Sequence, residues 1–404
     1  IAGVAIAVLM GGPGALLWMW VVALIGMATA FIESTLAQIF KERGRDFTFR
    51  GGPAYYIKNG LGSALWGKVF AALCIISVGI TVVMVQTNSL AQVITATVPS
   101  VSGWMVGVFL VLLTAPVVLG GVRLVARVAE WLAPIMALAY VLMAVVVIVL
   151  NADKLLEVLV SIFEGAFGLN QALFGTAGGV LAALLNGVRR GLFSNEAGLG
   201  GAACAAGSAT VSHPVQQGFI QAFGVVVDTL FVCTATALAI LVAGADVFQP
   251  GATAKETAGT LTQDAIAQLV GEWSRWPMAL LVVVLAYTTI IGAFSYAQVC
   301  LDYLTDRPWV ARALQIGAVI CAGIGSVQQL TTVWTLADVL LGVGAIINLV
   351  ALVLLSRWVV GALRDWEALR SSSGPDGNQT TFRGDSEHLP AVLPTGTWEG
   401  PVGR

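Results

Sequence analysis

Between Lys68 and Arg123 the chain carries no Asp, Glu, Lys or Arg. A charge-free stretch of that length constrains the fold more than any motif does. About a quarter of the residues in a soluble domain are charged, and such a domain has no place for the run. A helix crosses the hydrocarbon core with about 20 apolar residues, so residues 69–122 supply two crossings. Further charge-free runs occupy 1–32, 131–152, 165–188, 197–227, 276–301 and 313–337. Only 10% of the 404 residues are charged and 58% are hydrophobic, which excludes an ordinary soluble enzyme. The runs also lack the every-second-residue alternation of barrel strands. The reading is an all-α polytopic membrane protein.

Proline, glycine and charge punctuation place a half-helix at 1–10. Crossings are expected near 14–39, 68–97, 102–120, 129–150, 176–207, 215–243, 276–303, 311–326 and 332–356, with 176–207 interrupted. Lys41, Arg43, Arg45, Arg50, Lys58, Lys68, Arg123, Arg127, Arg307, Arg312, Arg357, Arg364 and Arg370 then fall on one side. Lys154, Lys255 and Arg275 fall on the other. Basic residues concentrate in cytoplasmic loops, so the first side is expected to be cytoplasmic, with the C-terminus. From Ser371 onward the sequence is rich in Gly, Pro, Ser and Thr and reads as a disordered cytoplasmic tail. The net charge of −2 points to no partner, and nucleic acid is not expected. Cys74, Cys204, Cys233, Cys300 and Cys321 lie in apolar runs without CxxC or paired spacing, and read as small buried hydrophobes. His213 and His388 are too few for a metal cluster.

The stretch "RRGLFSNEAGLGGAACAAGSA" (189–209) places charges and glycines inside an expected crossing. Asn and Ser compete with the helix for its own backbone groups, and glycine stabilises it poorly. A helix broken within the membrane frees N–H and C=O groups, which is tolerable only where they line a cavity or bind something. The first twelve residues, "IAGVAIAVLMGG", align without gaps on "EAGLGGAACAAG" (196–207): Ala2 with Ala197, Gly3 with Gly198, Ala7 with Ala202, Gly12 with Gly207. Thirty residues past each AG pair stands an acid, Glu33 and Asp228. Five helices separate the copies, an odd number, so the second enters the membrane in the opposite direction. Inverted repeats with interrupted helices in matching places point to a secondary transporter that binds its cargo at the breaks.

"GLFSNEAGLG" (191–200) resembles the signature of the alanine or glycine:cation symporters, the sodium:alanine symporter family. "GGPGALLWMW" (11–20), "GGPAYYI" (51–57), "VQTNS" (85–89), "DTLFVCTATAL" (228–238), "TTIIG" (288–292) and "LAD" (336–338) are similar to family blocks in family order. The resemblance covers about 1–360. It implies a leucine-transporter-type fold of two inverted five-helix repeats with two broken helices. The first repeat would span 1–150, the second 151–361, and the tail 362–404. It implies import of a small neutral amino acid driven by Na⁺ across a bacterial inner membrane. The family writes its first broken helix as GTGNIAGVA and this chain opens at that Ile, so the first half of that helix is expected to lie outside the sequence given.

On this resemblance Phe193 lines the substrate pocket, and Ser194 and Asn195 contact substrate or cap a half-helix. Gln86 offers one acceptor and two donors to the amino acid. Thr288 and Thr289 would give hydroxyls to Na⁺, with carbonyls from the first break near Ala2. Glu196 is expected to pair with Arg189 or Arg190, and is otherwise the proton carrier of a proton-coupled alternative. Glu33, Asp228 and Asp338 read as structural, the first two reaching a basic loop or a neighbouring helix. Asn88 also reads as structural, and Trp18, Trp20, Tyr55 and Tyr56 as interfacial anchors. The chain departs from the family after "TTIIG": Ala293 stands where a tryptophan is usual and Gln298 where a glutamate is. Ala293 would enlarge the pocket for a substrate such as glutamine, unless Phe294 rotates in to restore the wall. A channel predicts a polar stripe, and a membrane enzyme predicts a nucleophile–base pair or metal cluster; the sequence shows neither.

Overall fold

The computed structural model describes residues 1–44, 48–120, 122–168, 177–372 and 381–398, and these are almost wholly helical. Helix α1 (Ala2–Gly11) leads through Gly12–Gly14 into α2 (Ala15–Ile39). A small antiparallel hairpin follows, β1 (Glu42–Arg43) against β2 (Phe49–Arg50), with Glu42 opposite Arg50. Next come α3 (Pro53–Leu61), α4 (Ala64–Thr97), α5 (Gly103–Leu119), α6 (Val122–Leu150) and α7 (Ala152–Phe167). α8 (Ala177–Asn195) and α9 (Gly201–Ser208) flank the expected interruption. The chain continues with α10 (Pro214–Val242), α11 (Leu261–Val270), α12 (Arg275–Leu304), α13 (Pro308–Gly325) and α14 (Leu330–Ser372).

Among the described residues seven helical segments are long and apolar enough to cross a membrane: α2, α4, residues 130–150 of α6, α10, α12 with its preceding turn, α13 and α14. Leu24, Leu112, Trp131, Phe223 and Val353 each expose 60% or more of their surface. Apolar side chains facing outward suit lipid, because hydrocarbon offers no polar partner for backbone or side chain. The protein is an integral membrane protein of the all-α class. α2 packs along α8 and the first half of α10, and α1 lies against α8.

Local chemistry sets the ends of the elements. α3 starts at Pro53, whose missing N–H costs nothing in a first turn, and stops at Gly62 in the left-handed region (φ +70°). His213 caps α10: its Nδ1 accepts the Val215 N–H at 3.2 Å, while its own N–H donates to Gln216 Oε1 at 3.3 Å. α4 and α10 each contain a wide π turn, at Ser77–Val82 and Val226–Cys233. Such turns accommodate one extra residue and often mark functional places.

Four expectations are corrected. Tyr55 and Tyr56 are buried to 4% and 0% exposure instead of anchoring at an interface; the Tyr56 hydroxyl bonds Asn348, and Tyr55 packs edge-on to Tyr303 at 5.2 Å. The Trp20 indole N–H donates to Thr234 Oγ1 at 2.7 Å inside the bundle. α7 is a helix outside the expected crossings, because its charges hide a one-sided stripe: Val158, Ile162 and Ala166, four residues apart, are buried, and Leu155 and Leu159 pack beside them. Finally, α14 runs on to Ser372, and residues 381–398 of the expected disordered tail fold back onto the bundle. The Phe382 N–H donates to Ser212 O at 3.1 Å, Ser386 bonds Asp365, and Trp398 Nε1 donates to Gln38 O at 3.1 Å. Phe382, Leu389, Leu393 and Trp398 are buried, anchors that the polar average of the segment conceals. The remainder of that expectation, 373–380 and 399–404, lies outside the described residues.

Candidate functional site

α8 ends because the Asn195 side chain takes over a backbone donor, its Oδ1 accepting the Ala197 N–H at 3.1 Å. Glu196 then adopts φ +54°, and Gly198 and Gly200 adopt φ +85° and +90°. Glu196 is the one non-glycine in the left-handed region among the described residues. At Gly200 a side chain would also strike Pro53 and the Phe70 ring, so glycine is required there twice over.

The groups freed by the break are satisfied from distant helices. Glu33 Oε2 accepts the Gly198 N–H at 2.8 Å. Glu33 Oε1 accepts from Asn348 Nδ2 at 2.7 Å, and the same amide donates to Gly198 O at 3.0 Å. Tyr56 completes the network on Asn348. Glu33 is 1% exposed and reaches a broken helix where a basic loop was one expectation. The break is thus held open by α2, α3 and α14 together.

Beside it lies a cavity of about 250 Å³. Ala2 and Gly3 of α1, Gln86 of α4, Phe193 and Ser194 of α8, Asp228 of α10, Thr289 of α12 and Trp334 of α14 contribute to its wall, with Glu196 and Gly201 from the break. Among the described residues no Lys, Arg or His lines it, so its charged side chains are those of Glu196 and Asp228. Asp228 Oδ2 accepts from Ser194 Oγ at 2.8 Å and from Thr229 Oγ1 at 2.9 Å. Glu196 Oε2 is shut off from solvent without a hydrogen-bond partner among the described residues. A side chain on Gly201 would come within 2.9 Å of it.

Of the residues singled out from sequence, Ala2, Gln86, Phe193, Ser194 and Thr289 share this cavity. Asn195, Thr288 and Ala293 are not among its lining residues. Asn195 serves the local backbone and donates to Thr229 Oγ1 at 3.4 Å. Thr288 and Thr289 both donate to Leu285 O at 2.9 Å, and a donating hydroxyl keeps its lone pairs for a cation. Ala293 is 3% exposed in the helix core, and Phe294 packs with Val118 and Ile291. Asn88 is structural, donating to Gly325 O at 3.2 Å and Gln328 O at 2.6 Å.

Two aromatic rings of the cavity wall meet: Phe193 and Trp334 lie tilted by 49° with centroids 4.7 Å apart. The Arg190 guanidinium lies 4.5 Å from the Trp334 ring centre and is ion-paired with Asp338. The expected pairing of Glu196 with an arginine therefore does not form. Arg190 stands one turn before Phe193, and Asp338 one turn after Trp334, so helical spacing aligns the two pairs, while the left-handed step turns Glu196 away. Trp334 and the cavity-facing role of Asp228 escaped the sequence reading; the one-turn spacing of Trp334 and Asp338 was the available signal. At the hairpin end a wider cavity of about 750 Å³ opens, lined by Arg50, Lys58, Gln298 and Asp302 among others. There Arg50 Nε meets Asp302 Oδ2 at 2.6 Å, and Gln298 Nε2 donates to the other carboxylate oxygen at 2.7 Å.

Comparison with known families decides the class: the model of the sodium:alanine symporter family matches residues 1–380. The chain belongs to that family. A probable sodium/glutamine symporter, GlnT, of Bacillus subtilis is 40% identical over 91% of this chain and 74% of its own length. The sodium/alanine symporter AgcS of Methanococcus maripaludis is 36% identical, over 92% and 81%. A putative sodium/proton-dependent alanine carrier, YrbD, of Bacillus subtilis is 39% identical, over 91% and 77%.

Proposed function

We propose that this sodium-coupled amino-acid transporter imports a small neutral amino acid together with Na⁺ across a bacterial inner membrane. The observation that carries the reading is the cavity at the helix break, lined by two carboxyl groups and no basic side chain. A zwitterionic amino acid plus one Na⁺ brings a net positive charge, which those carboxyl groups offset in a medium where an unpaired ion is costly. The substrate carboxylate would sit at the N-terminal end of α1, where backbone N–H groups and the helix dipole favour an anion. Gln86 and Ser194 would orient it, and Phe193 and Trp334 would cover its side chain. Na⁺ would take oxygens from the Ala2 region and Thr289. A volume of about 250 Å³ suits an amino acid of alanine to glutamine size.

The halves 1–150 and 151–361 we read as inverted repeats, each supplying one break and one acid thirty residues beyond it. The hairpin end, with Lys41, Arg43, Arg50 and Lys58, would face the cytoplasm. The Phe193–Trp334 pair would then close the outer side and the Arg50–Asp302 pair the inner one. Alternating access would open them in turn.

Uptake of radiolabelled alanine and glutamine into proteoliposomes carrying the full-length protein, with and without an inward Na⁺ gradient, tests this. Sodium-dependent uptake of either is expected. Uptake indifferent to Na⁺ would overturn the reading. A second reading, coupling to H⁺ through Glu196, is favoured by the unpartnered Glu196 Oε2. It predicts uptake driven by a pH gradient alone and abolished in Glu196→Gln.

A further inference from the structure

Cys74 of α4, Cys204 of α9 and Cys300 of α12 come from three separate apolar runs, and the fold brings them together. Their sulfurs all lie within 4.8 Å of one another, with Cys204 Sγ and Cys300 Sγ 3.8 Å apart. The side chains are 3%, 1% and 1% exposed, and none of them lines the substrate cavity. A centre bonded to three sulfurs at about 2.3 Å, the length of a zinc–thiolate bond, holds those sulfurs about 4 Å apart or less. The widest pair of sulfurs therefore needs to close by about 1 Å or somewhat more to bind one atom.

Charge selects the occupant. Among the described residues no Lys or Arg bonds any of the three thiols, whereas the Glu33 carboxyl group holds the Gly198 N–H, two residues from Gly200, whose carbonyl accepts from Cys204 Sγ. Three thiolates around a monovalent or divalent ion leave net negative charge in a dry site, which is costly without a counter-ion. Trivalent arsenic with three thiolates carries none. We propose that Cys74, Cys204 and Cys300 form a binding site for trivalent arsenic, entering as neutral arsenous acid. Three As–O bonds break and three As–S bonds form. Each thiol proton leaves with a hydroxide as water, so three waters depart, and arsenic stays in the +3 state throughout.

Such a bond set would tie the half-helix α9 to α4 and α12. α9 starts at the break, so on the transport reading above it belongs to the parts that move. Arsenic held there would stop the cycle.

The test titrates purified protein in detergent with arsenite. It follows the near-ultraviolet arsenic–thiolate band and, after alkylation, the cysteines protected from modification by mass spectrometry. Saturation at one arsenic per chain with Cys74, Cys204 and Cys300 protected is expected. Cys300→Ala, sized to keep the packing and checked by its melting temperature, should lose the tris-thiolate band, and Cys321→Ser should keep it. No band in the parent protein, or one unchanged in Cys300→Ala, would overturn the site. In proteoliposomes arsenite should block uptake by the parent and spare Cys300→Ala; uptake undiminished in arsenic-loaded parent protein overturns the clamp. A parent inactive without arsenite would count against the transport reading, while the band still decides the site.

Discussion

Glu33 and Asp228 occupy the same place in the sequence pattern, thirty residues past an Ala-Gly pair, yet the fold uses them differently. Glu33 gives one oxygen to the Gly198 N–H and the other to Asn348 and has almost no exposed surface. Asp228 receives hydroxyls on one oxygen and lines the cavity with Ala2 and Gly3. An acid that takes over a backbone donor stabilises a break. An acid that accepts only from rotatable hydroxyls and a thiol, as Asp228 does from Ser194, Thr229 and Cys233, can exchange them for an ion or an ammonium group. The difference lies in the donors, since backbone N–H groups are fixed and Ser194 and Thr229 can turn.

Removing the fixed acid should have the largest effect. Glu33→Ala leaves the Gly198 N–H and an Asn348 donor buried without acceptors, at about 1–3 kcal/mol for each group. A clear fall in the detergent melting temperature and poor membrane yield are expected; an unchanged melting temperature would erase the contrast. Gly200→Ala should follow closely, since it adds a side chain at φ +90° against Phe70 and Pro53. A strained backbone position costs about 1–3 kcal/mol, again read as melting temperature.

Asp228→Asn sharpens the comparison from the other side. It preserves the shape and both hydroxyl contacts, so the melting temperature should stay within the range of a surface change, about 0.5 kcal/mol. Sodium-dependent uptake should fall at least about tenfold, the equivalent of about 1.4 kcal/mol. Loss of stability equal to that of Glu33→Ala would make the two acids alike after all.

The smallest effect concerns a buried cation with no acid partner among the described residues. Lys41 is 2% exposed, donates to Gln38 Oε1 at 2.6 Å and lies near the Phe49 and Trp398 rings. Burial pushes its ammonium down from 10.5 to about 7. Between those values the unfolded chain binds a proton that the folded chain does not, so stability should rise with pH across the window. Lys41→Met should flatten that slope in melting temperatures taken across it.

What the sequence made legible was local. Charge gaps located most of the crossings, and "FSNEAGLGG" (193–201) enclosed the break at 196–200, because Asn, Ser and Gly act on their own backbone. Partner choice was not legible in the same way. Nothing near Arg190 in the chain announces Asp338, and nothing near Cys74 announces Cys204 and Cys300; both follow from which helices touch. Tyr55 and Tyr56 look like interface residues because burial of a tyrosine depends on a remote acceptor, here Asn348 for Tyr56. The anchors of 381–398 are four side chains scattered through a polar segment, and an average over composition erases them.

The wide turn at Val226–Cys233 contains Asp228 and changes how length and direction are related in α10. Since such a turn holds one residue more than an α-helix would place there, deleting a single residue within it would return it to α geometry and leave the face from Thr234 onward nearly where it is. If the turn instead closed to α geometry with all its residues kept, everything from Thr234 onward would turn by about 100°, the step of one residue around a helix. Trp20 would then lose Thr234, and Tyr140 would lose Thr236. The face that α10 offers its neighbours is thus set by a count of residues as much as by their kind.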